Sequence, residues 1–365
     1  LFAFFNLALA QEVLLPSGYN VKLFTETQKN KTNNLRSSDP KYAVAPESPV
    51  INILTLPFFD DFTYNSVYPS PDLWQDSYGF VNRNFSKNAP TIGVVTLDGL
   101  NQYGLPYGDN AYAYGPADSL TSNPIDLSSY LKGDSLYFYF YYQQQGYGDK
   151  PDEEDSLVLE YLTQDSIWNW VWSSSTDSLM PASDEFKRII IPVTDSFYFH
   201  DLFQFRFRNY ATISGNNDHW NLDFIFLREG LESAFKDVAI KSITNTILEG
   251  YQEMPWSHYD NTFLIKDNYL TITNLDSSLL NADCFYRIYN LATDQLVDSN
   301  DLSPQTTFDF LSDTIVTLKD IILDSLKSNY DSLSLKVQYE IYKSSAILPD
   351  NDTASFTQNF YNYFA

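Results

Sequence analysis

The sequence predicts an all-β chain built as two successive β-sandwiches, and three observations carry this. Tyr and Phe number 28 and 27 while Met numbers 2, a balance that favours strands over helices. The stretch from Leu202 to Leu227, LFQFRFRNYATISGNNDHWNLDFIFL, alternates with a period of two, the mark of strands with one buried face. After Gly230 the texture shifts and a second set of short strands begins.

Within the first of these stretches, Phe203, Phe205 and Phe207 share one face, and Gln204, Arg206 and Arg208 the other. Ser214 to Asp218 is a polar turn of residue types that tolerate tight bends. The following strand sets Trp220, Leu222, Phe224 and Phe226 on one side and Asn221 and Asp223 opposite. Two aromatic strands joined in this way read as the closing hairpin of a large sandwich.

A chain of 365 residues is long enough for two separate cores. With 47 acidic against 22 basic residues the net charge is −25. Such a chain repels phosphate backbones and anionic membrane surfaces, because affinity for nucleic acid comes largely from basic side chains displacing counterions. Cations, calcium above all, are the compatible partners; the plainer role of the acidity is to keep an exported protein soluble. Cys284 is the one cysteine, so no intrachain disulfide forms and stability rests on core burial or metal ions.

In chain order, Leu1 to Ala10 is apolar and ends in small residues before Gln11, the pattern of a secretory signal remnant; the other reading is a buried first strand. The run is too short to span a membrane, and no cysteine follows it to carry a lipid. The lack of an initiating methionine is expected of a piece of a longer chain. Residues 11–50, with Pro16, Pro40, Pro46 and Pro49, read as an extended leader, poorly ordered in part. Residues 51–230 form the first sandwich. It enters at Ile51 to Phe62 and continues with a strand over Thr91 to Leu97 and a glycine-rich loop at Gly99, Gly104 and Gly108. Ser135 to Tyr142 is apolar on both faces and therefore central. Strands at Ser156 to Tyr161, near Trp168 to Trp172 and at Phe186 to Val193 follow. No segment of convincing length has helical periodicity. Residues 231–365 carry short strands at Val238 to Ile243, Tyr269 to Leu275, Cys284 to Tyr289, Thr306 to Leu311 and Leu333 to Tyr342, close to the count and spacing of an immunoglobulin-like sandwich.

Four stretches occur in a telling order: Ser122 to Leu127 (SNPIDL), Asp155 to Glu160 (DSLVLE), Phe203 to Arg208 (FQFRFR) and Asp218 to Phe226 (DHWNLDFIF). Together they resemble the cleaved-adhesin, or MAM-like, jelly-roll modules of Bacteroidota proteins exported by the type IX secretion route. The resemblance covers roughly Leu56 to Leu227, about half the chain. It implies a jelly roll in the first sandwich and a secreted or outer cell-surface location. It also implies continuation into further domains, and a structural calcium ion where the first and last strands meet. The positions for that ion are Asp60 or Asp61 together with Asp223, and Asp109 as a third. The alternative is that Asp60 and Asp61 form an exposed turn and Asp223 is a satisfied edge residue.

Enzyme motifs are absent: no HExxH, GxSxG, Walker loop or CxxC occurs, and the three histidines are His200, His219 and His258. His219 is read as a structural residue of its turn. The run Asp152 to Asp155 reads as a solvated loop. Trp168, Trp170 and Trp172 alternate and so share one face, which is either core or a stacking platform for sugars, with core favoured. The expected function is a non-catalytic adhesion or ligand-binding module for a surface carbohydrate or protein. The alternative is an accessory, carbohydrate-binding region of a secreted hydrolase whose catalytic domain lies elsewhere.

Overall fold

The computed structural model describes residues 18–37, 52–108, 110, 112–177, 181–230, 237–266, 268–276, 278–300, 306–309, 312–323, 332–342 and 352–361. The signal-like residues 1–10 and the candidate ligand Asp109 lie outside them.

The first domain contains β1 (Phe58–Asp60), β2 (Phe80–Asn82), β3 (Val94–Leu97), β4 (Tyr114–Thr121), β5 (Leu136–Gln144), β6 (Ser156–Leu162), β7 (Trp168–Ser173), β8 (Lys187–Val193), β9 (Phe205–Thr212) and β10 (Trp220–Glu229). Their antiparallel pairs nest: β3 with β10, β4 with β9, β5 with β8 and β6 with β7. A long hairpin rolled onto itself in this way is a jelly roll. The two sheets run β2-β3-β10-β5-β8, with β1 also on β10, and β4-β9-β6-β7. Aromatic rings meet edge to face between them, with Phe205 4.6 Å from Phe138, 4.9 Å from Phe58 and 5.6 Å from Trp74. β5, apolar on both sides, is central as expected: it pairs with both β10 and β8.

β10 departs from simple alternation. Its register with β5 shifts between Asp223 and Phe226, and Phe224 has φ 51°. Trp220, Leu222, Ile225 and Leu227 therefore face the jelly-roll core, while Phe224 and Phe226 turn to the other side of the sheet. The expectation that Trp220, Leu222, Phe224 and Phe226 share a face is corrected by this bulge, which inserts an unpaired residue and inverts the side-chain phase.

The leader is also corrected, because Val21–Ser37 forms the helix α1. Asn20 caps it, its Oδ1 accepting from the amides of Lys22 (3.1 Å) and Leu23 (3.3 Å). Leu23 is fully buried, and the Asn20 Nδ2 donates to Asp98 at 3.1 Å. The glycine-rich loop receives this first turn: a Cβ on Gly104 (φ +73°) would lie 2.6 Å from the Asn20 carbonyl oxygen. Among its described side chains the helix docks through its first turn, with Thr27 also 3.3 Å from the Tyr68 hydroxyl, and the few apolar residues of its sequence mark only a faint period.

The second domain comprises β11 (Val238–Ile243), β12 (Glu253–Pro255), β13 (Tyr269–Asn274), β14 (Leu280–Asn290), β15 (Gln295–Ser299), β16 (Thr306–Phe308), β17 (Asp313–Thr317), β18 (Leu333–Tyr342) and β19 (Thr353–Tyr361). One sheet is β11-β13-β17; the other is β12-β19-β18-β14-β15, with β16 on the start of β14. β12 runs parallel to β19 and the remaining pairs are antiparallel, an immunoglobulin-like arrangement. Cys284 is buried in β14. Among the described residues no sheet mixes strands of the two halves. They meet through Phe59, Tyr139, Phe224 and Phe226 on one side and Ala239 and Leu275 on the other. Arg83 also donates to the Ser355 carbonyl at 3.1 Å.

Phe205 is fully buried among four aromatic partners, Phe58, Trp74, Phe138 and Phe207. Phe205→Ala is expected to lower stability by about 3–5 kcal/mol in urea denaturation; a loss below about 1 kcal/mol would contradict the packing described.

Candidate functional site

The outer face of the four-stranded sheet is assembled by alternation. Leu157, Leu159 and Tyr161 of β6 and Phe205 and Phe207 of β9 point into the core. Glu160 therefore stands outside, paired in register with Arg206 of β9 and Trp170 of β7. β7 carries a bulge opposite Leu159 and Glu160, leaving Val171 without a register partner. This splits the three tryptophans. Trp172 packs inward, 5.1 Å from Phe140 and 4.9 Å from Tyr142, whereas Trp168 and Trp170 lie on the outer face. The expectation that all three share one side is thus corrected, and the core-or-platform alternative resolves into one residue of core and two of surface.

Trp170 is 61% exposed and its ring lies 6.1 Å from Tyr210. The Arg206 guanidinium covers Trp168 at 4.1 Å and pairs through Nε with Glu160. Arg208 lies over Tyr210 at 5.2 Å and 3.8 Å from Glu160. Glu160, nearly buried beneath these groups, is compensated by both arginines, as a buried charge must be. The result is a preset aromatic and guanidinium surface. At its end a pocket of about 360 Å³ is lined by Leu162, Gln164, His200, Asp201, Gln204 and neighbouring residues.

The acidic positions expected at the first and last strands do converge. β1 pairs antiparallel with β10, with Asp60 opposite Ile225. Asp60, however, turns toward the core, accepting from Trp74 Nε1 (2.6 Å), the Tyr64 hydroxyl (3.1 Å) and Phe62 N (2.9 Å). Asp61 uses Oδ1 to accept from Thr63, and its buried Oδ2 has no hydrogen-bond partner. Asp223 accepts from Thr91 N (2.8 Å) and Thr91 Oγ1 (2.9 Å). Burial, then the nearby Asp223 and Asp60, push the Asp61 carboxyl well above the usual range, and burial pushes Asp223 up to about 7. Among the described residues no Lys or Arg pairs with Asp61 or Asp223. An orphaned carboxylate oxygen beside a second buried carboxylate fits a hard cation in donor chemistry. Thr91, 132 residues from Asp223, and Asp237, which adds to the charge on Asp61, were not signalled by the sequence.

The run read as a solvated loop is also divided. Asp152, Glu153 and Glu154 are exposed, but Asp155 is 5% exposed and turned toward Asp218. His219 is buried, stacks 5.5 Å from Phe85 and accepts from the Asp149 amide through Nδ1 at 2.9 Å. Burial lowers its pKa to about 4, so the ring is neutral. A second acidic pair joins the glycine-rich loop to β4. Asp98 is fully buried and raised to about 7, and Asp118, beside it, is also pushed up by burial and by Asp98.

No family model and no curated protein matches the chain. Solved structures with some likeness include the glycoside hydrolase domain of Endo-D from Streptococcus pneumoniae R6, with 9% identity and TM-score 0.27, covering 79% of this chain and 38% of that one. A GH2 β-galacturonidase from Eisenbergiella tayi gives 9% identity and TM-score 0.29, covering 83% and 42%. The N-terminal CBM22 tandem domain of a Paenibacillus barcinonensis protein gives 11% identity and TM-score 0.28, covering 87% and 100%. The chain thus spans less than half the length of the first two structures. At these scores the likenesses carry no argument about function, and the fold stands on its own strand pairing. Among the described residues, no helix is long and apolar enough to cross a membrane.

The raised carboxyls set a pH dependence. Folded Asp98 holds its proton to about pH 7 and Asp76 to about pH 6, whereas unfolded Asp releases it near its ordinary value, 3.8. Their stabilising contribution is complete below that value and is lost as pH rises through 6 and 7. In chelator, the urea midpoint is expected to fall between pH 5 and pH 8, and Asp98→Asn to flatten the fall. A midpoint that rises over this range would contradict the assignment.

Proposed function

We propose that this chain is a non-catalytic, exported ligand-binding module whose jelly roll presents Trp168, Trp170 and Tyr210 to a carbohydrate on a cell surface or in the surrounding matrix. The observation that carries the reading is Trp170, an indole 61% exposed on the outer face of the edge strand β7, flanked by Tyr210 and by arginines held on Glu160. Sugar rings present apolar C–H faces that stack on indole and phenol rings, and their hydroxyls bond to guanidinium and amide groups at the rim. Arg206 and Arg208 are already oriented by Glu160, so little side-chain freedom is lost on binding. The pocket lined by Leu162 and Gln204 lies at the end of the same face.

In this reading a structural calcium ion near the junction of β1 and β10 is held by Asp61 and Asp223, with Asp60 committed to Trp74 instead. Its role is to neutralise carboxylates that burial and mutual repulsion otherwise force to take up protons.

A glycan array probed with the full chain, with and without calcium, tests the function. Trp170→Ala is expected to change stability by no more than about 0.5 kcal/mol and to weaken binding of any captured glycan at least about tenfold, equivalent to about 1.4 kcal/mol. Unchanged binding in both the Trp168→Ala and Trp170→Ala variants would reject this face as the site.

Chelator is expected to lower the melting temperature of the jelly roll and leave the second domain unchanged. Asp223→Asn should reduce that sensitivity. A first-domain melting curve identical in excess chelator and excess calcium, with metal analysis confirming the chelated protein is calcium-free, would remove this ion from the account.

A further inference from the structure

A second acidic group lies at the loop end of the jelly roll, built from segments distant in sequence. The loop between β5 and β6 carries Asp149, Asp152 and Asp155, and the turn between β9 and β10 carries Asp218. The backbones interlock: His219 N donates to the Asp149 carbonyl at 3.1 Å, and Asp149 N donates to His219 Nδ1 at 2.9 Å. Asp152, Asp155 and Asp218 each direct one carboxylate oxygen to a common point, these oxygens lying within 4.8 Å of one another.

Their remaining hydrogen bonds show what is left over. One oxygen of Asp155 accepts from Asp152 N at 2.6 Å, and one of Asp218 accepts from Thr212 N at 2.8 Å. The other Asp155 oxygen, Oδ1, receives no N–H or O–H donor on a side chain 5% exposed, and the carboxyl lies within hydrogen-bonding reach of Asp218, a contact between two acids that needs a shared proton or a cation. Asn209 braces the turn from β9. It is fully buried, its Nδ2 donates to the Asp218 carbonyl at 3.2 Å, and its Oδ1 has no partner. Asn209 thus ties β9 to the turn, and the donor-free Asp155 oxygen belongs to the group in which three carboxylates converge. Among the described residues no Lys or Arg pairs with Asp149, Asp152, Asp155 or Asp218.

We propose that Asp152, Asp155 and Asp218 form a calcium site that clasps the β5–β6 loop to the β9–β10 turn. Every donor in the group is a hard oxygen, and the converging carboxylates include no Cys or His, which favours calcium over zinc or copper. The side of the group at exposed Asp152 leaves room for waters to complete the six to eight ligands calcium takes. Buried Asp155 and Asp218 repel each other, and both carboxyls are raised by burial first; a dication relieves that repulsion where no basic side chain does. The site is distinct from the Asp61 and Asp223 pair, since it joins two loops rather than the first and last strands.

Calcium titration of the full chain at pH 7.5 by isothermal calorimetry, with magnesium as the comparison ion, tests the assignment. Asp152→Asn, at the exposed edge, and Asp218→Asn are each expected to remove one bound calcium or weaken it at least tenfold. The Asp223→Asn variant should leave this event intact. Amide exchange in residues 146–155 and 214–218 should slow on adding calcium to the wild type and not to Asp152→Asn. The near-UV spectrum of Asp152→Asn reports that its fold is retained. Calcium uptake unchanged in both variants, or no calcium uptake assignable to these residues in the wild type, would overturn the site and leave the carboxyls as a proton-sharing pair.

Discussion

The architecture depends on one strand serving two cores. β10 pairs with β1, β3 and β5, and the break between Asp223 and Phe226 changes which way its side chains point. With uninterrupted alternation, a single face would carry Trp220, Leu222, Phe224 and Phe226, and the opposite one the polar residues. The bulge instead gives Ile225 and Leu227 to the jelly roll and Phe224 and Phe226 to the contact with Ala239 and Leu275. Packing across the sandwich and packing between domains are therefore coupled through a few residues of backbone. Asp223 sits at the start of that irregularity, where its carboxylate reaches across to Thr91.

The second organising feature is the burial of acids in a chain of net charge −25. Exposed carboxylates keep such a protein soluble, but Asp61, Asp98, Asp118, Asp155, Asp218 and Asp223 are all buried, and burial raises each of them. A carboxylate without a cationic partner in such a place persists by taking a proton or by gaining a cation. Their grouping in neighbouring pairs, Asp61 with Asp223, Asp98 with Asp118 and Asp155 with Asp218, adds repulsion to desolvation. The chain has no disulfide to hold the loop ends together, so the ionic state of these groups bears directly on the stability of the roll.

The exposed face of the four-stranded sheet is made by the same device as the shared strand. A bulge in β7 sends Trp172 into the core and leaves Trp168 and Trp170 outside. The core gains an anchor against Phe140 and Tyr142, while the surface keeps two indoles, one of them 6.1 Å from Tyr210. Glu160 then orients two arginines over the neighbouring rings, which stiffens the surface before any ligand arrives.

Composition and period-two alternation were sufficient to read the all-β class, the central position of β5, the aromatic face of β9, the strand β6, and most of the second domain's strands, because each of these depends on local pattern and burial. Leu333–Tyr342 alternates so regularly that its bounds could be read directly. The resemblance of a few motifs brought Asp60, Asp61 and Asp223 together before any coordinates did. Local pattern could not show the bulges in β7 and β10, since a single inserted residue inverts the phase without changing the composition. Nor could it show helix α1, whose hold is the docking of Asn20 and Leu23 against Gly104 and Asp98. Only the tertiary structure turned Asp60 toward Trp74, brought Thr91 to Asp223, and placed Asp155 and Asn209 beside Asp218. Those contacts join residues far apart in the chain, and their partners are chosen by the closing of the roll rather than by any neighbouring residue.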